Sequence, residues 1–294
     1  MPQWQDRRVG VIEVRDLRKS YSEVQAVNGI DLSIDQGEIF AILGPNGAGK
    51  TTAVEILEGF RKRDSGDVRV LEMDPAIKGR SARDFRDRIG IVLQSTSDAG
   101  DLTVSETLNH FSGYYSKPRK PSEVIESIGL GEKSNALIHT LSGGQRRRLD
   151  VGLGIIGNPE LLFLDEPTTG FDPEARRSFW ELIHALRESG TTIVLTTHYL
   201  DEAEALADRV AVINAGQILE IATPSNLGDR ATSLARVRWE ADGKMHEEFT
   251  NEPTAVIARL SKEFTGEIPK LTVLRATLED IYLEMIGEVT GSHT

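Results

Sequence analysis

Between positions 44 and 51 the chain reads Gly44-Pro45-Asn46-Gly47-Ala48-Gly49-Lys50-Thr51. The spacing G-x-x-x-x-G-K-[ST] is that of a loop built to hold phosphate. Its glycines let backbone N–H groups curl around phosphate oxygens, and a helix starting at Lys50 adds the partial positive charge of its N-terminus. Lys50 is then placed to bridge β- and γ-phosphates, with Thr51 ligating Mg²⁺. A second group complements the first. In "LLFLDEP" from Leu161, four apolar residues make a buried strand that delivers Asp165 and Glu166 to the carboxyl edge of a sheet, where ligands of open α/β sheets bind. Asp165 fits a metal shell, and Glu166 stands where a general base could polarise an attacking water. A lone Asp-Glu pair is usually a solvated turn; an apolar strand before it and a phosphate loop beside it argue for chemistry.

A third stretch, "LSGGQRRRLDVG" from Leu141, starts a helix in an unusual way. Ser142 and Gln145 have capping-box spacing, which fixes a helix start whose N–H groups aim outward, and an anion belongs there. Gly143 and Gly144 forgo side chains, so something should approach that backbone closely. Arg146, Arg147 and Arg148 are expected to form a solvated first turn without chemistry, since successive residues point in different directions around a helix. His198 follows the apolar run "TIVLTT" and Gln94 ends "RIGIVLQ". Taken alone, a histidine there is more often structural or capping, and Tyr21 would be a packing residue of an N-terminal hairpin.

These residues need elements to position them. Short β-rich runs start at Val9 and Asn28, and "EIFAIL" reads as a buried strand leading into the phosphate loop and a helix from Lys50 to about Glu58. Core strands recur at "RIGIVLQ", "LLFLD" and "TTIVLTT", with helices beginning after Pro173 and after Tyr199. Strands alternating with helices imply a mainly parallel sheet covered on both faces. From Thr103 to Asn158 the pattern is mostly helical, with a Thr103–Glu106 capping box and breaks at Pro118 and Pro121. "TPSNLGDR" after Ala222 reads as a linker. Beyond it come a hairpin around Asp242-Gly243, a helix over 254–264, a strand over 271–275 and a helix from Leu278.

The whole chain has 294 residues, 39% hydrophobic and 27% charged, with a formal charge of −12. That charge argues against non-specific nucleic-acid binding. No apolar run approaches the ~20 residues that cross a bilayer, so a membrane role is expected to come through a partner. The start lacks the apolar core of a signal peptide. The absence of cysteine excludes disulfides and thiolate metal sites.

The order Tyr21, "GPNGAGKTT", Gln94, "LSGGQ", "LLFLDEP", "GFDP" and His198 resembles the nucleotide-binding subunit of ATP-binding cassette (ABC) transporters over about Val9 to Ala222. The resemblance implies a P-loop α/β fold of the ABC ATPase type, with an antiparallel β part and a helical subdomain at about 95–159 within a domain over 9–222. A small α+β accessory domain would follow at 223–294. It implies ATP hydrolysis with Mg²⁺. Gly44 to Lys50, with Thr51 and Thr52, would hold the phosphates, and Tyr21 resembles the aromatic residue that stacks on adenine. Gln94 resembles the glutamine near Mg²⁺ and the attacking water, Asp172 the aspartate at the dimer seam, and His198 the switch histidine at the γ-phosphate. Ser142, Gly143, Gly144 and Gln145 would meet the γ-phosphate held by the other subunit. Two chains would thus sandwich two nucleotides head to tail, as a homodimer or with a paralogue.

One departure is Phe171, where the family usually has Leu in Gly-Leu-Asp-Pro. "LEDIYLEMIG" from Leu278 resembles the motif closing many drug-resistance exporters of the ABC-2 type, such as the daunorubicin-resistance ATPases. The expectation is an ATPase at the cytoplasmic face of the cell membrane, held there by an integral membrane permease and driving export, without a nucleic-acid partner. A soluble ABC ATPase acting on nucleic acid or ribosomes is the alternative. Relatives of that kind usually carry tandem cassettes or a long coiled-coil insertion, and this chain has neither.

Overall fold

Alternating apolar residues open the chain as β1 (Ile12–Tyr21) and β2 (Val24–Ile34), paired antiparallel from Ile12↔Ile34 to Tyr21↔Val24. β2 begins four residues before the apolar run at Asn28, because pairing with β1 keeps the exposed segment Val24-Gln25 extended. β3 (Ile39–Leu43), buried at every position, leads into α1 (Lys50–Leu57). β4 (Ser65–Val70) returns to the other edge of β1, giving an antiparallel sheet in the order β2-β1-β4. The short helix α2 (Arg80–Arg88) precedes β5 (Ile89–Val92).

This computed structural model describes residues 10–93, 101–228 and 234–291. Its helical part starts with α3 (Val104–Ser112), capped reciprocally: the Glu106 amide donates to Thr103 Oγ1 at 3.2 Å, and Glu106 Oε2 accepts from the Thr103 amide at 2.9 Å. The helical pattern breaks, as expected, before Pro121, over residues 113–120, which include Pro118; Pro121 itself begins the next helix. It opens α4 (Pro121–Ser127) at the first position, where a missing N–H costs nothing and the fixed φ suits the helix. α5 (Gly143–Ile155) follows.

β6 (Leu161–Asp165), α6 (Pro173–Glu188), β7 (Thr192–Thr197), α7 (Leu200–Leu206), β8 (Arg209–Asn214) and β9 (Gln217–Ala222) complete the first compact unit, which ends at Ile221. The main sheet has the order β5-β6-β7-β3-β8-β9, with β5 to β8 of that row parallel. β3 and β7 are buried along their whole length, and β6 up to Leu164, as strands covered on both faces require. Phe40, Phe163, Val194 and Ala211 anchor the core between this sheet and α1.

The second unit starts at Ala222. β10 (Ala235–Ala241) and β11 (Lys244–Thr250) form a hairpin whose turn residues, Asp242 at φ +52° and Gly243 at φ +71°, match a two-residue primed turn. α8 (Pro253–Glu263) buries Val256 and Leu260 with Val237 and Ile268. β12 (Thr272–Leu274) pairs with β10, and α9 (Leu278–Gly291) ends the described chain. No helix among the described residues is long and apolar enough to cross a membrane.

Candidate active site

The parallel order β6-β7-β3 sets three strand ends side by side, about 4.8 Å apart, on one edge of the sheet. β3 ends at the phosphate loop, β7 at His198 and β6 at Asp165-Glu166. Gly49, at φ +103°, heads α1, and a Cβ there would lie 2.0 Å from the Ala26 carbonyl oxygen, so β2 lies directly against the loop. The Ala48 amide donates to Pro45 O at 3.2 Å and closes the turn around Asn46 and Gly47, both exposed. Thr51 is exposed and Thr52 half-buried in the first turn of α1.

Lys50 is buried. Its ammonium donates to Gly44 O at 2.8 Å and Pro45 O at 3.1 Å, and lies 3.9 Å from Glu166 Oε1. Burial pushes its pKa down, while the charges of Glu166 and Asp165 hold it up. The Asp165 carboxylate accepts from the Thr196 hydroxyl. Glu166 takes a left-handed backbone, φ +43°, and its amide donates to Thr196 O at 3.1 Å. Its Oε1 is 3.2 Å from His198 Nδ1, without the alignment of a hydrogen bond. Lys50, Glu166 and His198 therefore meet at one point, supplied by the start of α1 and by the ends of β6 and β7.

Thr51 and Asp165 offer a hydroxyl and a carboxylate, hard oxygen donors of the kind Mg²⁺ prefers. Among the described residues no cluster of three or more His, Cys, Asp or Glu could hold a metal.

The other expected residues lie further out. Tyr21 ends β1, 39% exposed, with the charged ends of Lys19 and Arg61 at 5.4 and 5.3 Å from its ring centre. Asp172 caps α6, its Oδ1 accepting from the Ala175 amide at 2.8 Å. Phe171 packs edge-on against the buried Phe179 at 5.7 Å, which gives this chain's departure from Leu a partner of its own. Gln94 lies outside the described residues.

Ser142 and Gln145 form the reciprocal cap of α5, with the Gln145 amide donating to Ser142 Oγ at 3.3 Å and the Ser142 amide donating to Gln145 Oε1 at 3.1 Å. Ser142 and Gly143 are exposed. A Cβ at Gly143 would meet nothing of this chain, and at Gly144 only the Ala175 methyl at 3.6 Å. The chain's own packing does not demand these glycines.

The arginines that follow are not a solvated turn. Arg147 is buried, and its guanidinium donates to Pro167 O at 2.9 Å, Asp165 O at 3.0 Å and Leu93 O. Arg148 donates to Ile128 O at 3.0 Å and to the Ser178 hydroxyl, and Arg146 lies 3.6 Å from Asp150. The main-chain carbonyls of Leu93, Ile128, Asp165 and Pro167 lie around α5, and Arg147 and Arg148 turn inward to satisfy them. Two buried acids were also not anticipated. Burial, then the charges of Asp165 and Glu55, push the Glu58 carboxyl up to about 8. Glu202 is wholly buried and raised by that burial; it faces Thr197 and Thr168, yet neither of its oxygens closes a well-formed hydrogen bond.

Comparison with known proteins places this geometry in context. Residues 27–169 match the family described as ABC transporter. The daunorubicin/doxorubicin resistance ATP-binding protein DrrA of Streptomyces peucetius is 36% identical over 94% of this chain and 92% of its own length. A Nod factor export ATP-binding protein I of Ralstonia nicotianae is 36% identical over 94% of both. The ATP-binding cassette MJ0796, solved as a dimer in a post-hydrolysis state with ADP and Pi, superposes with a TM-score of 0.65 at 24% identity, over 72% of this chain and 98% of its own; that likeness shows the fold.

Proposed function

The chain belongs to the ABC transporter family as an ATP-hydrolysing subunit, and from that premise we propose that it powers export of drugs or other hydrophobic compounds through a separate integral membrane permease. Held by that permease at the cytoplasmic face of the membrane, it pairs with a second ATP-binding subunit, a copy of itself or a paralogue. The names of its relatives, drug resistance and Nod factor export, support export over action on nucleic acid or ribosomes.

In this reading ATP lies along the edge of the main sheet. Tyr21 stacks on the adenine, and Gly44, Pro45, Asn46, Gly47, Ala48 and Gly49 turn their backbone toward the phosphates, with Lys50 on the β- and γ-phosphates and Thr52 in the same first helical turn. Mg²⁺, held by Thr51, Asp165 and Gln94, would neutralise charge on the phosphate oxygens. Glu166 accepts the proton of the attacking water as the bond from the γ-phosphorus to the ADP oxygen breaks. His198 contacts the γ-phosphate and lies beside Glu166. Ser142, Gly143, Gly144 and Gln145 cap the γ-phosphate of the partner's ATP, and Asp172 lies at the dimer seam.

The observation that carries this reading is the convergence of Lys50, Glu166 and His198 at one sheet edge. Its composite character is tested by mixing two full-length variants, Lys50→Ala and Ser142→Arg. In a head-to-tail homodimer the mixed pair collects both lesions in one site and leaves the other whole, so occlusion of one nucleotide per dimer should return although neither variant shows it alone. With wild-type self-association established first, no recovery rejects the composite site. Export is tested in cells in which Glu166→Gln replaces the native chain: a fluorescent amphiphilic drug should accumulate, and unchanged efflux rejects the role.

A further inference from the structure

On the composite-site reading, α5 serves the partner's nucleotide, whereas the ends of β5 and β6 serve the chain's own. One buried side chain joins them. Arg147 stands on α5 five residues after Ser142, and its three hydrogen bonds run to main-chain carbonyls of three places. Leu93 is the residue before Gln94, Asp165 ends β6, and Pro167 follows Glu166. Asp150, Asp165 and Glu202 are near enough to feel its charge, yet all three hydrogen bonds go to main-chain oxygens and none to a carboxylate. The guanidinium is used here for its rigid, planar fork of donors rather than to neutralise a charge. A lysine ammonium, a single point on a flexible stem, cannot span three carbonyls in this way.

We infer that Arg147 is a positioning residue that couples the two nucleotide sites of the dimer. It carries displacement of the helix bearing Ser142 to Leu93, just past β5, and to the end of β6 that bears Asp165 and Glu166. The inference rests on the composite-site reading and adds to it a path by which the partner's ATP reaches this chain's own catalytic groups. On that reading Arg147, buried and bonded to main-chain carbonyls, contacts neither nucleotide. Its loss therefore removes the linkage between the sites and spares the affinity of the first ATP bound.

The test uses the full-length chain with Arg147→Lys and Arg147→Ala, both checked by thermal melting. Affinity of the isolated subunit is read with a fluorescent ATP analogue without Mg²⁺, and cooperativity from the ATP dependence of turnover. In the wild type the Hill coefficient can rise to about 2, the number of sites. In Arg147→Lys it should fall to about 1 while analogue affinity stays within about threefold, and added guanidinium ion should restore it in Arg147→Ala. Should the alanine variant not fold, the lysine variant decides. A Hill coefficient unchanged from wild type, no cooperativity in the wild type, or a parallel loss of analogue affinity overturns the inference. Ser142→Arg separates the two readings. If it leaves ATP-driven dimerisation intact, the composite site itself falls; if it abolishes dimerisation while Arg147→Lys stays cooperative, only the coupling falls.

Discussion

Water can lose a proton at Glu166 only if that side chain ionises. Glu166→Gln keeps the shape and removes the base, so turnover should drop about 10²–10⁴-fold while ATP still binds. Dimers should then accumulate in Mg-ATP, and gel filtration reads this directly; wild-type turnover would remove Glu166 from the role. Tyr21→Ala should weaken ATP binding by roughly 1–3 kcal/mol, the usual value of base stacking on an aromatic ring, in a calorimetric titration. Glu58 yields a pH signature. Its carboxyl rises from 4.5 to about 8 on folding, so the folded chain keeps a proton that the unfolded chain releases above about pH 4.5. The stability this supplies is complete below that pH and is lost as pH rises through 8. Glu58→Gln should therefore raise Tm by about 3–6 °C above pH 8 and leave it nearly unchanged below pH 5, as read by melts across pH without nucleotide. Asp165 and Glu166 were legible in the sequence because charged residues at the end of a buried apolar strand have few structural uses, and Lys50 because it closes the G-x-x-x-x-G-K-[ST] spacing of a phosphate loop. Arg147 was not. Within Arg146–Arg148 nothing distinguishes the buried side chain, because its direction depends on strand ends distant in sequence that lie beside α5.

Two glycine-bearing elements make opposite demands on a methyl group. At Gly49 a Cβ would strike the Ala26 carbonyl, and φ is +103°. Gly49→Ala should displace the loop from β2 and weaken ATP binding at least about tenfold, a modest ~1.4 kcal/mol. At Gly143 a Cβ meets nothing of its own chain. Gly143→Ala should leave the monomer as stable as before, or up to ~1 kcal/mol more stable through helix propensity, and still impair ATP-dependent dimerisation. A monomer that melts lower, or a dimer that forms normally, would contradict the outward-facing role of this helix start. Elements with a strong apolar period or a cap were readable from residue order: β3, β6, β7, and α3 with its reciprocal Thr103–Glu106 cap. α2 was not, since only Ala82 and Phe85 of its nine residues are buried and its sequence is dominated by charge. β4 is comparably thin, with Val68 and Val70 alone facing the core.

Each of the two units has a buried core of its own: one around Phe40, Phe163 and Val194, the other around Val237, Val256 and Leu260. A chain truncated after Ala222 should therefore fold and bind ATP with near wild-type affinity while failing to support export. Loss of the folded state on truncation would show that the second unit completes the first. At this scale total stability is only about 5–15 kcal/mol, so local expenditures matter. Glu166 is one of them. A side chain other than glycine held at φ +43° costs roughly 1–2 kcal/mol, and glycine there would release it. Activity and durability thus pull in opposite directions at one position. A laboratory population selected for heat tolerance alone would have no catalytic reason to keep glutamate at 166: glycine would shed the backbone cost, while the buried Lys50 ammonium, 3.9 Å away, would still call for a carboxylate there.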